Sequence, residues 1–250
     1  MNNQSNLQPN EIKNLTKVVN QYIASKTSSA LSKLLSEPIK YNVMILEKEF
    51  FNFRNIKLAP DEIKMCAVKL YGKGDTHIEI CYAIKIKYAK MIASKLLGEE
   101  ETEEITELGT SAIQEVANIL TGSFFNAMSL GTGYRVELST PDYQLGNLES
   151  LAKGSAGNIL KPKKSAVIAD TELIGEKSGI RIHMLIMQET TNVRKLLNQI
   201  KKFKKTEFSS LYDSNLKLNN LDNESSISDL LKSEIDTELE DLQENEVENK

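Results

Sequence analysis

Residues 78–84 read Ile-Glu-Ile-Cys-Tyr-Ala-Ile and residues 180–186 read Ile-Arg-Ile-His-Met-Leu-Ile, so two similar segments lie 102 positions apart. In both, apolar residues recur at every second position, which is typical of a β-strand with one face in a core. Two shorter matches lie at similar offsets of 100 and 97: residues 95–97 with 195–197, and residues 30–32 with 127–129. These near-constant offsets predict two copies of one unit of about 100 residues.

Each copy is predicted to contain a long helix, several strands and a shorter helix, in that order. In the first copy these are a helix at 10–36, strands at 39–48, 63–71 and 78–84, and a helix at 88–97. In the second they are a helix at 106–130, strands at 134–139, 165–172 and 179–187, and a helix at 192–203. Pro38 helps to end the first helix, and Gly72 to Asp75 predicts a turn. Strands between helices favour an α+β fold, with two pseudo-symmetric repeats that form one continuous antiparallel sheet covered by long helices.

The composition is that of a globular protein, because 26% of the 250 residues are charged and 40% are hydrophobic. No run approaches the roughly 20 apolar residues that span a bilayer, and residues 1–10 lack the pattern of a secretory signal. Cys66 and Cys81 lie in alternating apolar segments, where two buried thiols are favoured over a disulfide. His77 and His183 do not stand at metal-ligand spacing. We therefore expect a cytoplasmic protein with no metal or cofactor of its own.

Charge is distributed unevenly along the chain, whose net charge is −4. Residues 206–250 contain 13 acidic residues against 3 lysines, and we predict a disordered acidic tail there. Within the tail, residues 227–242 have helical apolar spacing and either fold on a partner or form only transient helix in a solubilising segment. We divide the chain into a flexible N-terminus at 1–9, a domain at 10–205 with repeats at 10–100 and 106–203, and this tail.

The long helix predicted at 106–130 has one polar stripe, which lies opposite its apolar side on a helical wheel. The stripe consists of Ser111, Glu115, Asn118 and Gly122. Gly122 has no side chain, so another molecule could approach the helix backbone beside Asn118. Phe125 borders the stripe and is predicted to be an exposed aromatic anchor for a partner. On its own, such a stripe is what most solvated helix faces show.

Four residues of this region stand at a family-specific spacing. The motif consists of Ser111, three residues, Glu115, two residues, Asn118, twenty-two residues and Pro141. This spacing matches the pattern of the CheC-type phosphatases, whose first position is Asp or Ser. From about residue 10 to residue 203, and in its internal repeat, the chain resembles the CheC/CheX/FliY group of chemotaxis phosphatases.

This resemblance implies a role in chemotaxis, a two-component signalling system, as a hydrolase of the aspartyl phosphate on the response regulator CheY. It implies that Asn118 orients the attacking water in line with phosphorus, and that Glu115 pairs with a lysine of the regulator. Ser111, Gly122 and Phe125 would contact that partner, which supplies its own Mg²⁺. An acyl phosphate is already reactive, so a positioned water supplies much of what catalysis needs. An amide can hold that water without titrating.

The first repeat carries a degraded copy of the motif. The match of residues 30–32 with 127–129 places Val18 and Gln21 at the Glu and Asn positions. A shift of the alignment by one residue would instead place Lys17 and Asn20 at the Glu and Asn positions. In both alignments the acid is lost, and the positions where the proline is expected hold Met44 and Val43. We therefore predict one working site, in the second repeat.

The length of the chain and its acidic tail help to distinguish which member of the group it resembles. A single site resembles CheX, whereas two full repeats followed by a long tail resemble CheC. FliY is disfavoured, because its β-rich flagellar-switch domain of about 70 residues cannot be supplied by an acidic tail of this composition.

Two alternatives to the enzyme remain open at this point. CheC proteins also bind and regulate the receptor deamidase CheD, so the chain could act mainly as a binding regulator. It could also be an adaptor whose acidic tail recruits basic partners. Nucleic acid is not expected as a partner, since the lysines at 201, 202, 204 and 205 end the last helix, where positive charge suits the helix dipole. We expect His183 to point away from the strand face of Ile182 and to have no catalytic role.

Overall fold

Seven antiparallel strands form one sheet in the part of the chain that the computed structural model describes, residues 6–47, 64–146 and 165–203. The strands are β1 (Ile39–Glu47), β2 (Met65–Gly74), β3 (His77–Lys85), β4 (Val136–Leu138), β5 (Asp142–Gly146), β6 (Ala166–Gly175) and β7 (Arg181–Glu189). Their order is β1-β6-β7-β3-β2, and both β4 and β5 pair with the remaining edge of β2. The predicted α+β fold with one continuous antiparallel sheet is confirmed.

A layer of helices covers one face of this sheet. The helices are α1 (Pro9–Tyr22), a π-helical turn (Ile23–Thr27), α2 (Ser28–Leu35), α3 (Ile86–Leu97), α4 (Glu107–Thr132) and α5 (190–203). The hydrophobic core joins residues of all these helices to alternate residues of the inner strands, such as Val68, Leu70, Ile80 and Tyr82. Because alternate residues of a strand point to one face, the helix layer lies on that face.

The two long helical segments begin and end where the sequence predicts. Thr106 caps α4, since its Oγ1 accepts a hydrogen bond from the amide of Gly109 at 3.0 Å. α4 ends before Gly133 (φ 71°) and α2 ends before Ser36 (φ 51°), both in the left-handed conformation that closes many helices. Pro38 follows two residues after Ser36, which agrees with the predicted end of the first helical segment.

The two repeats meet at β3 and β7, which pair in the centre of the sheet. Tyr82 of β3 pairs with Met184 of β7, and these two residues are also equivalent under the sequence offset of 102. A residue that pairs with its own repeat counterpart lies on the symmetry axis. A pseudo-twofold axis therefore passes through this pair, and the predicted internal repeat is confirmed.

The face of the sheet opposite the helices carries a polar pair. His183 Nδ1 lies 3.0 Å from Oδ1 of the buried Asp170. His183 follows Ile182, which is in the core, so its side chain points away from the helix layer as predicted. Cys66 and Cys81 are both buried thiols, also as predicted.

Two local predictions for the edge of the sheet are wrong. Gly72 to Gly74 does not form a turn but completes β2, and the chain reverses at Asp75 and Thr76. Glycine is required inside the strand because a Cβ at Gly72 would lie 2.5 Å from Phe125 Cζ. Strand β5 is missing from the prediction, because it has five residues and directly follows Pro141, which favours a loop.

Some predictions concern parts of the chain outside the described residues. These are the acidic tail at 206–250 and residues 1–5 of the flexible N-terminus.

A buried carboxylate ties the helix layer to the turn between β6 and β7. Glu37 Oε2 accepts hydrogen bonds from the amides of Lys177 and Ser178 at 2.7 and 2.8 Å. Its Oε1 accepts one from Ser178 Oγ at 2.6 Å and lies 3.5 Å from Lys95 Nζ. Burial alone would raise the pKa of Glu37, but these donors and the lysine outweigh it and lower the pKa to about 2.

We expect Glu37→Gln to lower the free energy of unfolding at pH 7 by about 2 kcal/mol, because hydrogen bonds to a buried charged group are lost. The folded pKa lies below the usual 4.5, so the carboxylate stabilises the fold above that pH. This contribution is lost as the pH falls from 4.5 toward 2. Denaturant unfolding across this range should therefore show a difference between wild type and variant that narrows with falling pH.

The matched control is Glu176→Gln, which removes an exposed carboxylate 3.6 Å from Lys40. Exposed ion pairs contribute little, so this variant should stay within about 0.5 kcal/mol of wild type. A difference for Glu37→Gln that does not change with pH would contradict the assignment.

Candidate functional site

Helix α4 is fixed to the rest of the fold along its inner side. Near its start, Gly109 is buried, and a Cβ there would lie 3.3 Å from Ala93 of α3. In its middle, Thr121 Oγ1 and Tyr82 OH share a buried hydrogen bond of 2.9 Å. Because these contacts lie on different turns, they fix both the height of the helix over the sheet and its rotation about its own axis.

The outer side of α4 carries the predicted polar stripe. Ser111 and Glu115 are exposed, and Asn118 and Gly122 are half-buried. The opposite side is buried and consists of Ile113, Val116, Leu120 and Phe124. A Cβ on Gly122 would meet nothing within 4 Å, so the backbone beside Asn118 is open to another molecule. The predicted orientation of the helix is confirmed.

Glu115 and Asn118 adjoin on this stripe. Asn118 Nδ2 lies 3.5 Å from Glu115 Oε2, a length at which a hydrogen bond is weak. The amide can therefore exchange this contact for a water or a partner group. Ser111 Oγ donates to Glu107 O at 3.1 Å, which keeps its hydroxyl on its own helix. The stripe thus presents one carboxylate and one adjacent amide.

Pro141 lies at an irregularity of the edge strand. Gly72 pairs with Leu138, and Lys69 pairs with Asp142. Three steps along β2 therefore face four steps along its neighbour, which is a β-bulge. A proline fits there because it has no N–H to offer to a regular ladder.

Gln114 joins α4 to this bulge. Its Nε2 donates to Pro141 O at 3.0 Å. Gln114 precedes Asn118 by four residues and so lies one turn away on the same side of the helix. The bond therefore brings the proline of the motif beside the stripe and holds the edge strand next to Asn118.

Phe125 is only 6% exposed, so the prediction that it is an exposed aromatic anchor is wrong. Its ring fills the space that Gly72 leaves in β2 and lies edge-to-face with Phe124, with ring centroids 5.7 Å apart. The helical wheel places Phe125 correctly at the border of the stripe. Its burial depends on Gly72 in β2, and a helical wheel shows only the residues of one helix.

The π-helical turn decides between the two alignments of the first repeat. The helical segment Pro9–Leu35 is one residue longer than α4, and a π turn adds one residue to a helix. Before the turn, buried residues match at an offset of 98: Leu15, Val19 and Tyr22 with Ile113, Ala117 and Leu120. After the turn they match at an offset of 97: Leu31 and Leu35 with Met128 and Thr132.

An offset of 98 makes Lys17 the counterpart of Glu115 and Asn20 the counterpart of Asn118. Their exposures also correspond, since Lys17 is exposed and Asn20 is half-buried. Asn20 Nδ2 donates to Thr16 O at 3.0 Å, within its own helix. The first repeat therefore keeps the amide but carries a cation in place of the carboxylate.

Three residues that position the stripe leave no recognisable pattern in the sequence: Gln114, Thr121 and Tyr82. Gln114 and Pro141 are 27 positions apart, and Tyr82 and Thr121 are 39 positions apart. Contacts at such separations leave no local pattern. The one available signal is that the wheel places Gln114 next to the stripe.

Comparisons with known proteins agree with the predicted resemblance. Residues 65–161 match the family model for the chemotaxis phosphatase CheX. The CheY-P phosphatase CheC of Bacillus subtilis (strain 168) is 21% identical over 180 residues, which cover 69% of this chain and 86% of CheC.

Solved structures match over most of the chain. FliY of Thermotoga maritima has a TM-score of 0.62 at 20% identity, covering 79% of this chain and 98% of that one. The FliM middle domain of H. pylori has a TM-score of 0.52 at 11% identity, covering 77% and 99%. At these identities the structures establish the fold, whereas function depends on the site.

The fold is thus that of the CheC- and FliY-like proteins. With the family match and the similarity to CheC, the predicted resemblance to the CheC/CheX/FliY group is confirmed. In the described ranges, no helix is long and apolar enough to cross a bilayer. In the same ranges, no three His, Cys, Asp or Glu side chains gather as they would around a metal ion.

The two glycines beside the site should respond to alanine in opposite ways. Gly122→Ala should raise the free energy of unfolding by about 1 kcal/mol, because the new methyl meets no neighbour and alanine favours helix. Gly72→Ala should lower it by about 1–3 kcal/mol, because its Cβ overlaps Phe125 and Val136. Denaturant unfolding of the two variants measures both, and a change of the same sign would contradict this geometry.

Proposed function

We propose that this protein hydrolyses the aspartyl phosphate of a CheY-type response regulator, at one site formed by Glu115 and Asn118. The observation that carries the proposal is the position of the motif in the fold. Its carboxylate and amide adjoin on an exposed stripe of a fixed helix, and Gln114 links that helix to Pro141. The name of the similar CheC, a CheY-P phosphatase, supports the choice of substrate.

The proposed reaction needs a positioned water and little else from this chain. The water oxygen forms a bond to phosphorus while the bond between phosphorus and the aspartyl oxygen breaks, which releases the carboxylate and inorganic phosphate. Asn118 has both a donor and an acceptor with which to orient that water. The Mg²⁺ that neutralises charge on the phosphoryl group is held by the regulator in this proposal.

Glu115 is assigned to recognition. It is exposed and lies one helical turn from Asn118, so it can pair with a cation of the regulator while the amide reaches the phosphoryl group. Such a pair helps the partner to dock and fixes its register. Gly122 lets the partner approach the helix backbone, and Ser111 lines the same stripe.

We expect Asn118→Ala to slow the hydrolysis step by about 10²-fold, since loss of water orientation has effects of that order. Glu115→Ala should mainly raise KM, because the charge contacts the bound partner. The measurement is the decay of phosphorylated CheY at several concentrations of each protein. Equal decay rates with wild type and Asn118→Ala would exclude the proposed mechanism.

The matched control is Asn20→Ala, which removes the equivalent amide of the first repeat. Because Lys17 replaces the carboxylate there, this variant should dephosphorylate CheY as fast as wild type does. A loss as large as that of Asn118→Ala would show that both repeats act. CheD binding that survives Asn118→Ala, with little turnover by wild type, would instead favour the regulatory role.

A further inference from the structure

Exposed leucines cluster around the stripe of α4. In the described ranges, the large hydrophobic residues that remain exposed are Met44, Tyr71, Leu108, Leu130, Leu138 and Leu145. All four leucines belong either to α4 or to the edge strand beside it, β4 and β5. Such clusters of exposed apolar side chains mark interaction surfaces more often than isolated ones do.

Leu108 continues the stripe toward the start of α4. It is 56% exposed and precedes Glu115 by seven residues. Seven residues are about two turns, which places Leu108 within about 20° of Glu115 around the helix. The polar stripe therefore has an apolar residue at its N-terminal end.

Leu138 and Leu145 lie on the helix side of the edge strand. They pair with Gly72 and Cys66 of β2. Cys66 belongs to the core under the helices, and Gly72 faces the ring of Phe125 in α4. Leu138 is 37% exposed and Leu145 is 61% exposed, so the helix does not cover either. The bulge at Pro141, which Gln114 holds against α4, lies between them.

We infer that Leu108, Leu138 and Leu145 form an apolar rim that binds the phosphorylated regulator around the stripe. This inference rests on the proposed function. Ser111, Glu115, Asn118 and Gly122 offer almost no apolar surface, whereas the centre of a specific interface is usually apolar. The rim supplies that surface next to the reacting groups, while the stripe supplies the chemistry.

The bulge argues against a second copy of the chain as the occupant. Strand addition at an edge needs a regular row of backbone groups. Here Pro141 has no N–H, and the register of the edge changes at the bulge between β4 and β5. A bulge also twists the edge away from a flat partner strand. The rim is therefore suited to a partner that contacts side chains.

The test uses the full chain with Leu108→Gln, Leu138→Gln, Leu145→Gln and the triple variant. Leu130→Gln is the matched control, because Leu130 is 69% exposed on the same helix but lies fifteen residues beyond Glu115. Affinity is measured by titration with CheY–Mg²⁺ carrying beryllofluoride as an acyl-phosphate mimic, and turnover by the decay of phosphorylated CheY. Circular dichroism and thermal unfolding establish that each variant is folded.

Each rim variant should weaken binding of the mimic by about 3- to 10-fold and raise KM by a similar factor, with kcat unchanged. The triple variant should weaken binding by about 10²-fold or more, and Leu130→Gln should match wild type. Unchanged affinity in all rim variants would overturn the inference, as would a lower kcat at unchanged affinity. Self-association of wild type that only the rim variants lose, with affinity for the mimic intact, would assign the rim to a second copy instead.

The inference and the proposed function can fail separately. If wild type binds the mimic but does not accelerate decay, the proposed function is wrong while the rim is still tested by affinity. If Asn118→Ala loses turnover and the rim variants keep full affinity, the proposed function stands and the rim is wrong.

Discussion

The buried hydrogen bond between Tyr82 and Thr121 is the contact on which the arrangement of the candidate site depends. Tyr82 lies on the pseudo-twofold axis in the middle of the sheet, and Thr121 lies in the middle of α4. A buried hydroxyl that loses its partner costs about 1–3 kcal/mol, so rotation of α4 about its axis is opposed. Asn118 and Gly122 are one to three residues from Thr121 and move with it. The centre of the sheet thus sets the direction in which the stripe faces.

The first repeat shows what happens without such contacts. At offsets of 102 and 98, the counterparts of Tyr82 and Thr121 are Met184 and Ile23, which have no hydroxyl. The counterpart of Gln114 is Thr16, whose hydroxyl donates within its own helix. The counterpart of the bulged edge is β1, which pairs with β6 over nine residues without interruption. The carboxylate and the contacts that would position it are therefore absent together, while the core positions that complete the fold remain.

The sequence predicts most of the elements because their patterns are local and occur twice. Alternation at 78–84 and 180–186 identifies β3 and β7, and the offset between them identifies the symmetry axis. The wrong predictions for Gly72 and Phe125 share one physical cause, which is dependence on a distant residue. The ring of Phe125 is buried in the space that Gly72 leaves by having no side chain, and this packing explains why a glycine lies inside the strand. The π turn shifts helical periodicity by a single residue, so the sequence leaves two alignments open and only the buried contacts on either side of the turn distinguish them.

Regularity of the helix is itself part of the site. The proposed hydrolysis requires that the amide of Asn118 be held within about 0.5 Å of its productive position. α4 meets this need as an uninterrupted helix, with inner contacts at Gly109 and Thr121 and a lateral bond from Gln114. In the first repeat the π turn begins three residues after Asn20, where α4 continues without a break through Gly122. The turn absorbs its extra residue, since the buried residues on both sides of it match those of α4, but it interrupts the regular α-helical hydrogen bonding just beyond Asn20. A carboxylate restored at position 17 would therefore still lack the continuous α-helix that carries Asn118 and Gly122.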